Sequence, residues 1–323
     1  MSHPQPAVPG SASGEIELKP ISRVAPEKPL RDVMDGAHRM EIKCLDHGFV
    51  ALVDAMPRLV PEGQTADAAI VQAARVSYGQ GTKQVSEDRG LIRYLLRHRH
   101  TTPFEMVEFK FHIAMPIFIA RQWIRHRTAN VNEYSARYSI VPDRFYTPSM
   151  EAIRKQSTGN RQGGEETFTI DGRDPDQSAT AAAFLDYLHD AEAQYQKYLS
   201  LTQRGVSREL GRMGLAGNVS TGWYWECELQ NILRFLSLRM DTHAQLEIRE
   251  FAQAMFRLLE PIVPVTMEAW REDELESIHL SKGEIEAIRA HQHGVAPELS
   301  TQNKREAAEW AAKRALLNLQ PPA

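Results

Sequence analysis

Hydrophobic and polar positions alternate most clearly at Val107, Phe109, Phe111 and Ile113, which are interleaved with Glu108, Lys110 and His112. That period of two predicts a strand with one apolar face and one polar face. Pro116 ends it and suits the first turn of a following helix, IFIARQWIRHR. Upstream, the ordered chain is expected to begin near Ile42, with the apolar run GFVALVDAM. AAIVQAARVSY, from Ala68, reads as a helix. Ser86 reads as the N-cap of EDRGLIRYLLRHR, whose Leu91, Leu95 and Leu96 form a helical stripe. Downstream, a long helix is expected from about Thr180 to Gln203. An aromatic segment, TGWYWECEL, then leads into a helix carrying Leu229, Ile232, Leu233 and Leu236. Thr242 with Gln245 predicts a capping box for a helix through Leu259, and Ser281 with Glu284 predicts another in a tail of two helical stretches. There is no internal repeat. The pattern predicts a helix-rich α+β protein with a modest, mainly antiparallel sheet.

Composition divides the chain further. Residues 1–37 are rich in Pro, Ser and Gly without apolar periodicity, and are expected to be a disordered arm. The main domain is expected over 38–275, with a polar, Gly-rich surface insertion at 151–180, and a helical C-terminal extension over 276–323. A length of 323 residues with 42% hydrophobic content supports a sizeable core. The formal net charge of −4 argues against a chain that coats nucleic acid or anionic membrane. Cys44 and Cys227 form no CxxC pair and no disulfide framework. The N-terminus has no basic stretch leading into an apolar run, and no stretch reaches the roughly 20 apolar residues of a membrane helix. The expectation is a cytoplasmic protein with no membrane partner.

The chemistry concentrates in ARQWIRHRTANVNEYSARYS. On a helix, Gln122, Arg125 and His126 share a face, while Trp123 and Ile124 can pack inward. Beyond it, an extended chain would point Glu133, Ser135 and Arg137 one way and Tyr134, Ala136 and Tyr138 the other. Guanidinium, imidazole, amide, carboxylate and hydroxyl groups then line one wall. Such a wall suits a ligand with a phosphate and a hydrogen-bonding ring. A plain solvated helix end is the blander account. It is weakened because few acids, chiefly Glu105, Glu108 and Glu133, lie near the Arg125–Arg127 cluster in sequence.

Other candidates add less. RHRHTTPFE, from Arg97, is a second basic patch. Its His98 and His100, with His126, show no metal-ligand spacing such as HExxH, and the surrounding arginines would oppose a cation. In LSLRMDTHAQLEIREF, Arg239 falls at a junction between helices, where it can reach a cleft. Asp241, His243 and Glu247 are more simply explained by capping and an i, i+4 pair. No GxGxxG, GxxxxGK[ST] or GxSxG motif is present, so a nucleotide would be held by side chains. Neither cysteine lies in a nucleophile motif, and Cys227, within the aromatic segment, is expected to be buried.

RHRTANVNEYSARYS resembles the signature of the flavin-dependent thymidylate synthases: RHR, seven residues, then Ser, with NE inside and RY after it. ARVSY at Ala74, HTTPFE at His100, PIFIARQWIRHR at Pro116 and LRMDTHAQ at Leu238 also resemble family segments, in family order, over about residues 40–272. The resemblance implies a homotetramer with active sites shared between subunits. It implies dUMP and methylenetetrahydrofolate as substrates, FAD as cofactor and NADPH as reductant, and no cysteine nucleophile. Position by position, Gln122, Arg125, Glu133, Ser135, Arg137 and Arg212 match dUMP contacts. Arg239 matches the catalytic arginine beside the uracil ring. Ser77, His100, Thr102, Arg125, His126, Arg127, Asn132 and Glu133 match FAD contacts. Gln230 and Arg234 stand at two further flavin positions.

The chain also departs from the common family pattern. Ala216 and Ser220 stand in the loop after Arg212, where many members have Pro and Tyr. Glu228, Gln230 and Arg234 replace Asn, Arg and Asn of some members, and Met106 replaces a frequent His. Two rivals stay open on the residues alone. One is a nucleic-acid-binding module built on the basic patches. The other is a family relative that keeps its sites but has lost transfer activity.

Overall fold

The computed structural model describes residues 41–58, 63–76, 88–158 and 163–319. The N-terminal arm, Ser77 and the Ser86 cap lie outside them. The described chain forms two compact units, divided between Ala269 and Trp270.

The first unit is built on a five-stranded, wholly antiparallel sheet. Its strands are β1 (Glu41–Cys44), β2 (Gly48–Met56), β3 (Glu108–Pro116), β4 (Asn130–Glu133) and β7 (Ser220–Glu228). Their order across the sheet is β1-β2-β3-β7-β4. β3 and β7 pair along their whole lengths, from Glu108 opposite Glu228 to Pro116 opposite Ser220. The alternation read for β3 holds: Phe109, Phe111, Ile113 and Met115 are buried, and Glu108, Lys110 and His112 are not. β7 repeats it with Trp223, Trp225 and Cys227 inward and Tyr224 outward. On the outer face Lys110 lies opposite Glu226, with their charges 3.9 Å apart, and His112 stacks on Tyr224 at 4.9 Å.

Helices cover the inner face. The chain runs through α1 (Asp67–Val76), α2 (Asp88–Arg97), α3 (Thr102–Glu105), α4 (Ile117–Trp123), α5 (Pro175–Gln203), α6 (Arg208–Gly211), α7 (Leu229–Arg239), α8 (Leu246–Leu259) and α9 (Pro264–Trp270). α7 and α8 carry the predicted apolar stripes into the core through Leu229, Ile232, Leu233, Phe235 and Leu236, then Ile248, Phe251, Ala252 and Met255. Trp123 sits among them, stacked on Phe235 at 4.4 Å with Trp225 edge-on at 5.8 Å. Each such side chain contributes roughly 1.5–3 kcal/mol by leaving water. A smaller core of Val141, Phe145, Tyr195, Tyr198 and Val219 packs α5 against the chain after β4.

Several expectations change in the fold. The helix through the RHR segment ends at Trp123, and Ile124 is exposed rather than packed inward. Pro116 is its N-cap, one position earlier than expected. The helix stops because the chain must turn back to the sheet, where Val131 pairs with Trp225 and the Cys227 thiol donates to Thr128 O at 3.2 Å. The extended wall stops near Tyr134, because Tyr138 N bonds Ser135 O at 3.1 Å and closes a turn. Arg137 therefore does not continue the alternation. Thr242 caps nothing: Asp241 accepts from His243 N at 2.7 Å in a local turn, and α8 starts only at Leu246 with Gln245 as N-cap. His243 pairs with Asp241, not with Glu247, whose carboxylate accepts from the Tyr146 hydroxyl. The polar insertion contains a hairpin, β5 (Arg154–Gln156) with β6 (Gly164–Thr167), and α5 begins inside its expected span, capped by Asp174.

The second unit holds α10 (Lys282–Gln292) and α11 (Lys304–Leu316). The predicted Ser281–Glu284 capping box is present. The buried Glu284 also accepts from Lys313 Nζ at 2.8 Å, and buried Trp310 donates to Pro297 O at 2.7 Å.

Candidate active site

The site residues gather in two groups on this frame, and Phe235 anchors the first. Trp123 stacks on its ring, and the His126 imidazole meets it edge-on at 4.9 Å. Past Trp123 the backbone continues in tight three-residue turns, with His126 N bonding Trp123 O at 2.9 Å. Arg125 and Arg127 are thrown outward while His126 stays half-buried. Arg239, the last residue of α7, donates from Nε to His126 Nε2 at 3.1 Å. Burial, then the neighbouring Arg239 and Arg234 guanidinia, push the His126 imidazole down to about 4. Burial also lowers the Arg239 guanidinium from its ordinary value. Gln122 hydrogen-bonds the Gln245 side chain across the mouth of the group.

Arg234 lies exposed on α7, which also carries Gln230, and α3 with Thr102 packs against that helix. His100 precedes α3, with the Tyr94 ring 5.8 Å away. Among the described residues, no carboxylate pairs with Arg125, Arg127, Arg234 or Arg239.

The second group follows β4. Asn132 and Glu133 end the edge strand, and Glu133 accepts from the Thr221 hydroxyl at 2.8 Å. Both line a cavity of about 390 Å³ on the outer face of the sheet, with Arg144, Ser220 and Tyr224. The turn beyond holds Ser135, whose hydroxyl accepts from Arg137 N at 3.4 Å. Arg137 pairs with Glu209 at 3.6 Å, and Arg212 donates to Glu209 O at 3.4 Å. Tyr195 donates to Val141 O at 2.6 Å, and Val141 N donates to the Tyr198 hydroxyl at 3.3 Å. This pair of tyrosines fixes the end of the turn to α5.

The fold thus brings Gln122, Arg125, His126, Arg127, Arg234 and Arg239 together, and separately Ser135, Arg137 and Arg212. No hydrogen bond or ion pair among the described residues joins the two groups. Gln245, Thr221, Glu209 and the two tyrosines were not expected at the site. Gln245 alone carried a sequence signal, since it belongs to LRMDTHAQ. A larger cavity, about 1460 Å³, lies between α5, the β5–β6 hairpin and Thr242–Glu247, and none of the expected site residues lines it.

The donor set decides what cofactor fits. Three exposed guanidinia without carboxylate partners call for a polyanion, and the half-buried His126 imidazole and the exposed Tyr94 ring near His100 suit a planar ring system. A flavin dinucleotide has both parts. Among the described residues, no cluster of His, Cys, Asp or Glu could hold a metal ion, and no helix is long and apolar enough to cross a membrane.

Fold and site together define an enzyme of the class described as "Thymidylate synthase complementing protein", whose family model matches residues 58–265. The flavin-dependent thymidylate synthase of Dictyostelium discoideum is 58% identical over 303 residues, covering 94% of this chain and 96% of that protein. That of Gluconobacter oxydans is 46% identical, with 92% and 95% covered. Among solved structures, the UMP/dUMP methylase PolB of Streptomyces cacaoi bound with 5-Br dUMP matches with a TM-score of 0.57 and 32% identity, covering 72% of this chain and 97% of that one. Its complex with 5-Br UMP matches with a TM-score of 0.58. The chain belongs to the flavin-dependent thymidylate synthase family.

Proposed function

We propose that the protein methylates dUMP to dTMP in the cytoplasm, with methylenetetrahydrofolate as one-carbon donor, FAD as cofactor and NADPH as its reductant. The observation that carries this reading is the cluster of unpaired guanidinia gathered beside Gln122 and the oriented Arg239. Arg125, Arg127 and Arg234 would take the flavin's phosphates, with Ser77, His100, Thr102, His126, Asn132, Glu133 and Gln230 around the remainder. When bound, the reduced flavin supplies the reducing equivalents, so that tetrahydrofolate leaves unoxidised. Gln122, Arg125, Glu133, Ser135, Arg137 and Arg212 would hold dUMP. Arg239 would stand beside the uracil ring and favour its ionised form, a fixed positive charge placed where negative charge develops.

Membership of the flavin-dependent thymidylate synthase family supports a composite site. Each chain of a homotetramer would lend its Arg137–Arg212 group to the Arg239 group of another chain. The likeness to a methylase whose solved complexes hold halogenated UMP and dUMP supports the same substrate class here.

The test is tritium release from C5-labelled dUMP with FAD, NADPH and methylenetetrahydrofolate present. Folate-dependent release with thymidylate appearing is the expected result. A flavin-bearing, dUMP-binding protein that releases no tritium would refute the transfer reaction. Arg239→Ala should abolish release while flavin stays bound, and unchanged release would remove Arg239 from its assigned role.

A further inference from the structure

We propose that His126 is a positioning residue for Arg239: a neutral imidazole that fixes the guanidinium's orientation without cancelling its charge. The inference rests on the nucleotide reading above and deepens it. Three observations carry it.

The first is the hydrogen bond itself, from Arg239 Nε to His126 Nε2 at 3.1 Å. An arginine has only N–H donors, so Nε2 must be the acceptor, and the ring must be neutral with its proton on Nδ1. The second is the setting of the ring. His126 leans edge-on against Phe235 at 4.9 Å, and Phe235 is itself fully buried under Trp123. The acceptor is therefore mounted on the core and not on a mobile surface side chain. The third is the surrounding charge. Arg234 and Arg239 both oppose protonation of the ring, and burial acts in the same direction, so the imidazole keeps its acceptor at neutral pH.

The choice of partner has a chemical consequence. A carboxylate in place of His126 would hold Arg239 equally well, but would neutralise the charge needed beside an ionising ring. An imidazolium would repel it. A neutral acceptor does neither. With Nε committed to His126, the guanidinium can meet a ligand only through Nη1 and Nη2, its terminal fork. His126 thus selects which edge of Arg239 faces the nucleotide.

The experiment uses flavin-loaded protein and measures dUMP affinity in a double-mutant cycle of His126→Phe and Arg239→Ala. His126→Phe alone is expected to weaken dUMP binding about tenfold, the size of one hydrogen bond to a charged group. It should cost nothing further once Arg239 is alanine, and His126→Gln, which keeps an acceptor, should restore most of the affinity. Additive losses, or a glutamine variant as weak as the phenylalanine one, would overturn the proposal. The nitrogen-15 spectrum of histidine-labelled protein without nucleotide tests the same bond independently. An unprotonated Nε2 whose resonance moves in Arg239→Ala supports it, and a proton on Nε2 overturns it. Absence of dUMP binding by the unaltered protein would instead refute the nucleotide reading, leaving the tautomer as the test of the bond.

Discussion

Phe235 is the floor of the candidate site, and removing it should separate fold from function in a measurable way. Its ring is fully buried, stacked on Trp123 at 4.4 Å and met by the His126 edge at 4.9 Å, with Trp225 at 5.8 Å. Phe235→Ala removes the ring and leaves a cavity among rigid indoles that cannot collapse into it. The expected cost is about 4 kcal/mol, from lost transfer energy plus the cavity. Phe235→Leu keeps most of the apolar volume and loses mainly the ring geometry, for roughly 1–1.5 kcal/mol. The two costs should therefore differ by a factor of about three. Denaturant unfolding followed by the fluorescence of the buried tryptophans reads both. The leucine variant should fold, yet bind flavin and dUMP more weakly, because His126 loses the edge contact that steadies it. Equal costs for the two substitutions, or a folded leucine variant with unaltered ligand affinity, would refute the claim that this ring supports the site.

Three further outcomes follow from local geometry. A Cβ on Gly48 would lie 2.8 Å from Cys44 O and 2.9 Å from Ala114 O, both backbone atoms of paired strands; Gly48→Ala should cost about 2–3 kcal/mol in a thermal or denaturant melt, and a neutral result would show that the strands can part. The buried Asp67 carboxylate accepts from Val265 N at 2.9 Å, Thr266 N at 3.1 Å and the Thr266 hydroxyl at 2.6 Å, capping the start of α9; Asp67→Ala should destabilise by about 3 kcal/mol, where a merely exposed cap would lose about 1. His126 titrates near 4 when folded, against an ordinary 6.5. As pH falls the unfolded chain takes up this proton first, so stability should be full above about 6.5 and decline towards 4. Denaturation midpoints across that range should slope less in His126→Gln than in the unaltered protein, and identical slopes would contradict the shift.

The elements with a single clean period were legible in the sequence, and those whose shape is set by a distant partner were not. β3 alternates because one face meets the core and the other does not, and the α7 and α8 stripes have the same origin at helical spacing. β7 also alternates, but aromatic side chains fill both faces at Trp223, Tyr224 and Trp225, so apolarity alone could not reveal its polarity pattern. β4 is four mostly polar residues held at an edge by β7, and nothing within NVNE announces that. The same limit applies to the site. The RHR segment folds beside Arg239, yet its helix ends one turn earlier than the pattern predicts, because the pull of the sheet on Val131 is invisible locally. The Gln122–Gln245 bond joins positions 123 residues apart, and the Thr242–Gln245 spacing, which predicts a capping box, gives no sign of it. Glu209 and the Tyr195–Tyr198 clamp carry no motif at all.

The departures from the family pattern acquire a physical meaning in this fold. A proline would stiffen the loop after Arg212, and Ala216 cannot. Here the loop is held by its backbone: Leu215 N bonds Arg212 O at 3.2 Å, Phe118 N bonds Gly217 O at 2.9 Å, Ile117 N bonds Val219 O at 2.9 Å, and Tyr146 N bonds Asn218 O at 2.9 Å. Ala216 also packs against the Tyr195–Tyr198 core, which fixes the loop from below. Ser220 is buried at the start of β7, where its N–H bonds Arg144 O at 2.8 Å, so a larger side chain is not needed to hold that end. Glu228 stands at the N-cap of α7 and accepts from the Asn231 side chain at 2.9 Å, a carboxylate at the positive end of a helix dipole. It is therefore committed to the helix that carries Gln230, Arg234 and Arg239. Arg234 adds a cation on that helix beside the Arg125–Arg127 cluster. The substitutions thus leave the arginine-bearing loop tied down and raise the positive charge around His126. The added charge of Arg234 opposes protonation of the His126 ring, which stays an acceptor for Arg239.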